Sequence, residues 1–196
     1  EYGFNTFRTI RVYSNIFFIL VILILLLILN YSFEINVVIL IIAAYKIVES
    51  LNDLNYGLFQ RIERLDYVAK SNIVRGLLGT GVFALVYLYS SELSYSLFSL
   101  FLIWLLNLIL VDNRKRRKIS NEFLRNVDFD KHLILIKILL PLGLVAFISS
   151  IIVNIPRFVI EKYLSFEELG YFTTVFYLVL VIEKFMTAMG GALLPR

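Results

Sequence analysis

The chain has 196 residues, of which 60% are hydrophobic and 17% charged; soluble domains carry roughly 25% charged residues, and so few charges argue against a soluble globular domain. With no Cys there can be no disulfide framework, thiol nucleophile or Cys-based metal site. The formal net charge of +4 is concentrated in particular loops, which points to membrane orientation rather than to nucleic acid.

The chain begins with Glu1 rather than Met, and no charged n-region or small-residue cleavage site precedes its first apolar run. That run is therefore not a signal peptide, and the sequence is expected to be a piece of a longer chain. Helices are predicted at about residues 12–30, 35–56, 72–89, 93–111, 133–154 and 169–194. Each approaches the roughly 20 residues needed to cross a hydrocarbon core of about 30 Å. None of these segments alternates in polarity as a barrel strand does, and helices are the other structure that satisfies every backbone group in lipid. The expected fold is all-α integral membrane, with six transmembrane helices.

Loop charges test that count. Residues 1–11 hold Arg8 and Arg11, and residues 57–75 hold Arg61, Arg64, Lys70 and Arg75. Residues 112–132 hold Arg114, Lys115, Arg116, Arg117, Lys118, Arg125 and Lys131. The connections between these, 31–34 and 90–92, hold no Lys or Arg. Basic loops and loops without Lys or Arg alternate as six spans require, so the positive-inside rule puts both ends of the piece in the cytoplasm. Residues 155–168, with only Arg157 and Lys162, then lie outside. Residues 112–132 form the longest polar loop and the expected boundary between a first bundle, 1–111, and a second, 133–196.

Ionisable residues inside spans are informative, because each costs about 2.5–3.5 kcal/mol at a helix centre on insertion scales. In the second span Lys46, Glu49, Ser50, Asp53, Gly57 and Gln60 fall at 0, +3, +4, +7, +11 and +14. At 100° per residue they share one stripe about 100° wide, and the opposite side is read as Leu, Ile and Tyr. The stripe is either a structural ion pair locking the helix to a neighbour or the wall of a wet, charged cavity; the second is favoured because intramembrane charges are functional by default. Glu183 and Lys184 add charge at similar depth in the sixth span. Arg157, after Pro156 at the outer end of the fifth, is either a cation for an anionic headgroup or an interfacial anchor.

Other residues carry blander readings. Lys137 stands near a span end and is read as a snorkelling cation, while Arg75, at the start of the third span, is left open between that and a charge inside the span. Pro141 with Gly143 predicts a kink. Ser96, Ser99 and Asn107 share a face of the fourth span and are expected to mediate helix packing. His132 has no neighbours at ligand spacing, so neither a metal nor another cofactor is expected. The Arg114 to Lys118 run reads as an orientation signal that meets anionic lipid. No P-loop, nucleophile elbow or zinc motif is present, so the chain is not read as an enzyme.

Several stretches resemble Wzx-type polysaccharide flippases of the MATE-like exporter superfamily. They are Lys46-Ile-Val-Glu49-Ser50-Leu-Asn-Asp53-Leu-Asn-Tyr56-Gly57-Leu-Phe-Gln60, Ser71 through Arg75-Gly76, Asp112, Asn154-Ile-Pro156-Arg157-Phe158 with Glu161 and Glu168-Leu-Gly170-Tyr-Phe, and Gly190 to Pro195-Arg196. The resemblance implies a two-lobe bundle around a central cavity, with helices three to six of the first lobe at 12–111 and the start of the second at 133–194. It implies alternating-access transport of undecaprenyl-diphosphate-linked oligosaccharide to the outer leaflet of a bacterial plasma membrane, for surface polysaccharide such as O-antigen. Lys46, Glu49, Ser50, Asp53 and Arg157 are the candidate substrate contacts, and Glu49, Asp53 and Glu183 the candidate ion-coupling groups. Membrane lipids and other polysaccharide assembly proteins are the expected partners, and no nucleic acid. Two rivals remain: a cation-coupled multidrug exporter of the same superfamily, and a non-transporting membrane scaffold of polysaccharide assembly.

Overall fold

A computed structural model describes residues 4–117, 119 and 129–193. Lys118, Arg125 and residues 194–196 lie outside the described residues, as do the side chains of Lys131 and His132. The described residues are helical throughout apart from short turns: α1 Phe4–Leu29, α2 Phe33–Arg61, α3 Leu65–Ser90, α4 Leu93–Asn107, a π-helical turn Leu108–Asp112, α5 Asn113–Arg117, α6 Phe129–Tyr163 and α7 Phe166–Leu193. Five helical stretches are long and apolar enough to cross a membrane, Phe4–Leu29, Leu65–Ser90, Leu93–Arg116, Ile134–Tyr163 and Phe166–Thr187. The remaining long helix is α2, 29 residues, and it carries the charged stripe.

Local chemistry sets the breaks. After α1 the chain turns at Asn30, whose φ of 47° is left-handed, a conformation Asn tolerates better than most residues. At the end of α2, Arg64 N–H donates to Phe59 O (2.8 Å) and Glu63 N–H to Gln60 O (3.0 Å), with Glu63 at φ 58°. That is a Schellman closure, and it satisfies two carbonyls of the last turn. α3 ends at Ser91, also left-handed at φ 55°.

Several helix ends differ from the sequence expectation: α2 runs on to Arg61 and α3 starts at Leu65, so the expected loop 57–75 shrinks to 62–64. α1 begins at Phe4, well before residue 12. The fifth span does not stop near 154: α6 continues to Tyr163 with Pro141 and Pro156 inside it. The expected outer loop 155–168 shrinks to the turn at 164–165, and Arg157 stands on helix rather than in a loop. A membrane helix tolerates proline where side chains and local adjustment re-satisfy the freed carbonyls; Asn154 Nδ2, for instance, donates to Ser150 O (2.8 Å).

The chain divides into two compact units, Glu1–Ile134 and Leu135–Arg196. In the first, α4 packs on α2 and α3, and α1 on α2. Its interior is more polar than that of a soluble domain: Asn52, Asn55, Ser71, Arg75, Ser96, Asn107 and Asp112 are all buried, while Leu, Ile and Phe dominate the outside. Such an arrangement suits lipid, where apolar side chains gain nothing by hiding and polar ones must find partners. Close approach is built in at Gly79 of α3, where a Cβ would meet Leu100 Cδ1 at 3.0 Å and Trp104 Nε1 at 3.4 Å. The second unit comprises α6 from Leu135 onward and α7.

Candidate functional site

The two faces of α2 define the site. On the outer face, Lys46 Nζ donates to Glu49 Oε2 at 2.7 Å. Both remain accessible, their side chains 56% and 31% exposed. Asp53, Gly57 and Gln60 continue the same open side. Ser50 is drawn into helix packing instead, its Oγ donating to Asn15 Oδ1 of α1 (3.0 Å). The stripe is thus an open charged face that partly neutralises itself. A shallow apolar pocket of about 230 Å³, lined by Ile41, Ile42, Tyr45, Leu97 and Leu100, borders Lys46.

The opposite face is not the plain Leu, Ile and Tyr surface the sequence suggested. It holds Asn52, Asn55, Tyr56 and Phe59, all buried, and feeds a hydrogen-bonded cluster shared by α2, α3, the end of α4 and the π-turn. Tyr56 Oη donates to Ser71 Oγ of α3 (2.8 Å), and Ser71 Oγ donates to Asp112 Oδ2 (3.0 Å). Asn107 Nδ2 donates to Ser71 Oγ (2.7 Å) and to Asp112 Oδ2 (3.3 Å). The Asn52 amide is oriented by its neighbours: a carboxylate can only accept and a guanidinium can only donate. Its nitrogen therefore donates to Asp112 Oδ2 and its oxygen accepts from Arg75 Nη1, each at 3.0 Å.

Arg75 is not a snorkelling cation. It is 8% exposed, donates through Nη2 to Asn72 Oδ1 (2.7 Å), and lies 3.8 Å from the Trp104 ring and 5.2 Å from the Tyr56 ring. Cation–π contact is worth about 2 kcal/mol or more once desolvated. Trp104 in turn sits 4.4 Å from Tyr45. The π-turn is what makes the cluster possible. Five residues of regular α-helix would set Asn107 and Asp112 roughly 140° apart, whereas here both side chains face the same core.

Of the other candidates, Arg157 and Glu183 lie in the second unit. Arg157 Nη1 donates to Asn154 Oδ1 (3.0 Å), and its guanidinium lies 4.9 Å from Phe176 and 5.4 Å from Tyr177 of α7. Its buried Nε–H has no acceptor among the described residues. Glu183, Lys184 and Lys137 are exposed. Ser96 and Asn107 are buried on α4 as packing residues, and Ser99 donates to Ser96 O of its own helix (2.7 Å). The cluster's neutral members, Asn52, Ser71 and Asn107, were outside the sequence-based site.

The polar-cored first unit, with one charged helix face, is the architecture of a helical membrane protein. The chain belongs to the Polysaccharide biosynthesis protein family, which matches residues 5–196. It is similar to the "Capsular polysaccharide biosynthesis protein CapF" of Staphylococcus aureus, 25% identical over 161 residues covering 81% of this chain. The chain spans 40% of that relative's length. No solved structure matches it.

Proposed function

We propose that the chain is part of a Wzx-type flippase that moves a polyprenyl-diphosphate-linked oligosaccharide across the bacterial plasma membrane by alternating access. One observation carries the reading: the Lys46, Glu49, Asp53, Gly57, Gln60 face of α2 is open while the other face of the same helix is packed. Charges on an open helix face in hydrocarbon are costly unless water or a polar cargo reaches them. A diphosphate needs a cation to offset its desolvation; Lys46 in the first unit and Arg157 in the second, with an unused N–H, are the separate candidates. Glu49, Asp53 and Glu183 are then available to a coupling ion. In this reading residues 1–111 belong to the first lobe, 112–132 to a cytoplasmic linker and 133–196 to the second lobe.

The test uses the full-length protein in its own host. Lys46→Gln and Arg157→Gln should each cut surface polysaccharide at least tenfold and accumulate lipid-linked oligosaccharide facing the cytoplasm, with protein level in the membrane unchanged. Undiminished export in both variants overturns the reading.

A further inference from the structure

Where α2, α3 and α5 meet, two cations converge on one ring. Arg64, in the turn between α2 and α3, lays its guanidinium 4.1 Å from the Tyr67 ring. Lys115 of α5 places Nζ 5.0 Å from the same ring and donates to Tyr67 O (3.4 Å). Phe59 holds that ring edge to face at 5.6 Å. Lys70, one turn further along α3, is exposed. Asp66 answers one of these three charges: its carboxylate accepts from Nε (3.0 Å) and Nη2 (3.3 Å) of Arg64. Arg61 and Glu63 in the preceding turn cancel in formal charge, while Arg114 and Arg116 flank Lys115 and add to it. Arg64 Nη1 and two of the three Lys115 ammonium hydrogens have no partner among the described residues. Cations gathered on one ring repel each other, so this corner has unused donors and too little negative charge.

An apolar ridge starts from the same place. At 100° per residue Tyr67, Lys70, Val74, Leu77, Leu78 and Leu85 share a stripe about 100° wide on α3, and its four aliphatic members are all exposed. Cationic donors at the start of a span, with an apolar ridge running from them along it, match an amphiphile that has an anionic head. We propose that this corner binds an anionic glycerophospholipid. Its phosphate bridges Arg64 Nη1 and Lys115 Nζ, Lys70 adds charge, and one acyl chain lies along Val74, Leu77 and Leu78. Arg meets phosphate with a planar fork of N–H groups and Lys as a point charge, so the pair supplies both direction and charge. A soluble phosphate would use the cations alone; the ridge selects a lipid. The bound headgroup ties the turn between α2 and α3 to α5, because its two cations come from those two elements. The inference does not rest on the flippase reading, since neither Lys46 nor Asp53 belongs to this site.

The experiment is native mass spectrometry of the full-length protein released from nanodiscs of mixed phosphatidylglycerol and phosphatidylcholine. The Arg64→Gln, Lys115→Gln double variant should lose one of the phosphatidylglycerols that wild type retains, its occupancy falling roughly tenfold or more at about 1 kcal/mol per cation near a charged lipid surface. Leu77→Gln should weaken the same retention without touching a charge. Lys137→Gln, which removes an exposed cation of α6, should leave it unchanged, and so should added inorganic diphosphate. Retention unaffected by the double variant or by Leu77→Gln overturns the inference. An equal loss on Lys137→Gln overturns it too, by showing a general field rather than a site. Displacement of the lipid by inorganic diphosphate overturns it in favour of a soluble phosphate. Because no saccharide is present, the outcome is separate from the export assay on Lys46 and Arg157.

Discussion

Ser71 holds the buried cluster together, and its removal is calculable. Its hydroxyl is fully buried; it accepts from Tyr56 and Asn107 and donates to Asp112, all on neighbouring elements. Ser71→Ala deletes three inter-element hydrogen bonds at once and leaves the Tyr56 hydroxyl without an acceptor. Interhelical hydrogen bonds in membrane proteins average about 0.6 kcal/mol and reach about 1.7, so three give about 2–5 kcal/mol. The upper part of that range is the better expectation, because a buried orphan donor adds its own penalty of about 1–3 kcal/mol. Ser99→Ala is the control: its hydroxyl donates to Ser96 O one turn back in the same helix, and its loss should cost less than about 0.5 kcal/mol. Reversible unfolding of the full-length protein in mixed micelles measures both. Equal losses for the two variants would refute the assignment of Ser71 as a connector between elements.

Three further outcomes follow from the same geometry. The chain lacks Cys and an added Cβ at Gly57 meets nothing within 4 Å, so Gly57→Cys in an otherwise thiol-free protein should react with a membrane-impermeant maleimide, while Leu78→Cys on the apolar outside of α3 should not; equal silence at both would show the stripe to be dry. Gly79→Leu should push the ring of Trp104, this chain's one tryptophan, off Arg75, red-shifting its emission; an unshifted spectrum contradicts the close approach. Ser91→Gly should raise stability by about 1 kcal/mol, because Ser91 holds a left-handed φ of 55° that glycine adopts freely; an unfolding midpoint unchanged or lowered argues against strain there.

The long helices were legible because uninterrupted apolar runs are a strong signal and lipid permits few alternatives. Their ends were less so. Pro156 and Arg157 read as a span terminus, yet α6 runs through both, since proline's usual veto weakens where neighbours re-satisfy the freed carbonyls. On α2 the stripe stood out because charges are rare in such runs, and 100° arithmetic gathers them onto one face. The buried cluster did not stand out. Asn52, Ser71 and Asn107 are uncharged residues of a kind that helix packing uses freely, while Arg75 and Asp112 stand near span ends and pass for interfacial charges. The decisive feature, the π-turn that brings Asn107 and Asp112 together, leaves no mark in a period of 3.6 residues.

The two faces of α2 depend on each other. A helix carrying Lys46, Glu49 and Asp53 in hydrocarbon would lower its energy by rotating these groups toward any polar neighbour it could reach. Asn52 and Tyr56 oppose that rotation. A turn of one residue position, about 100°, would carry Asn52 away from Asp112 and Arg75, break the Tyr56 bond to Ser71 and move Phe59 out of the core. At the membrane hydrogen-bond energies used for Ser71, with an unpaired buried Arg75 added, that costs several kcal/mol. The buried cluster thus fixes the rotational setting of α2 and keeps the charged stripe open. Any process that weakens the cluster loosens the constraint on which way the stripe faces.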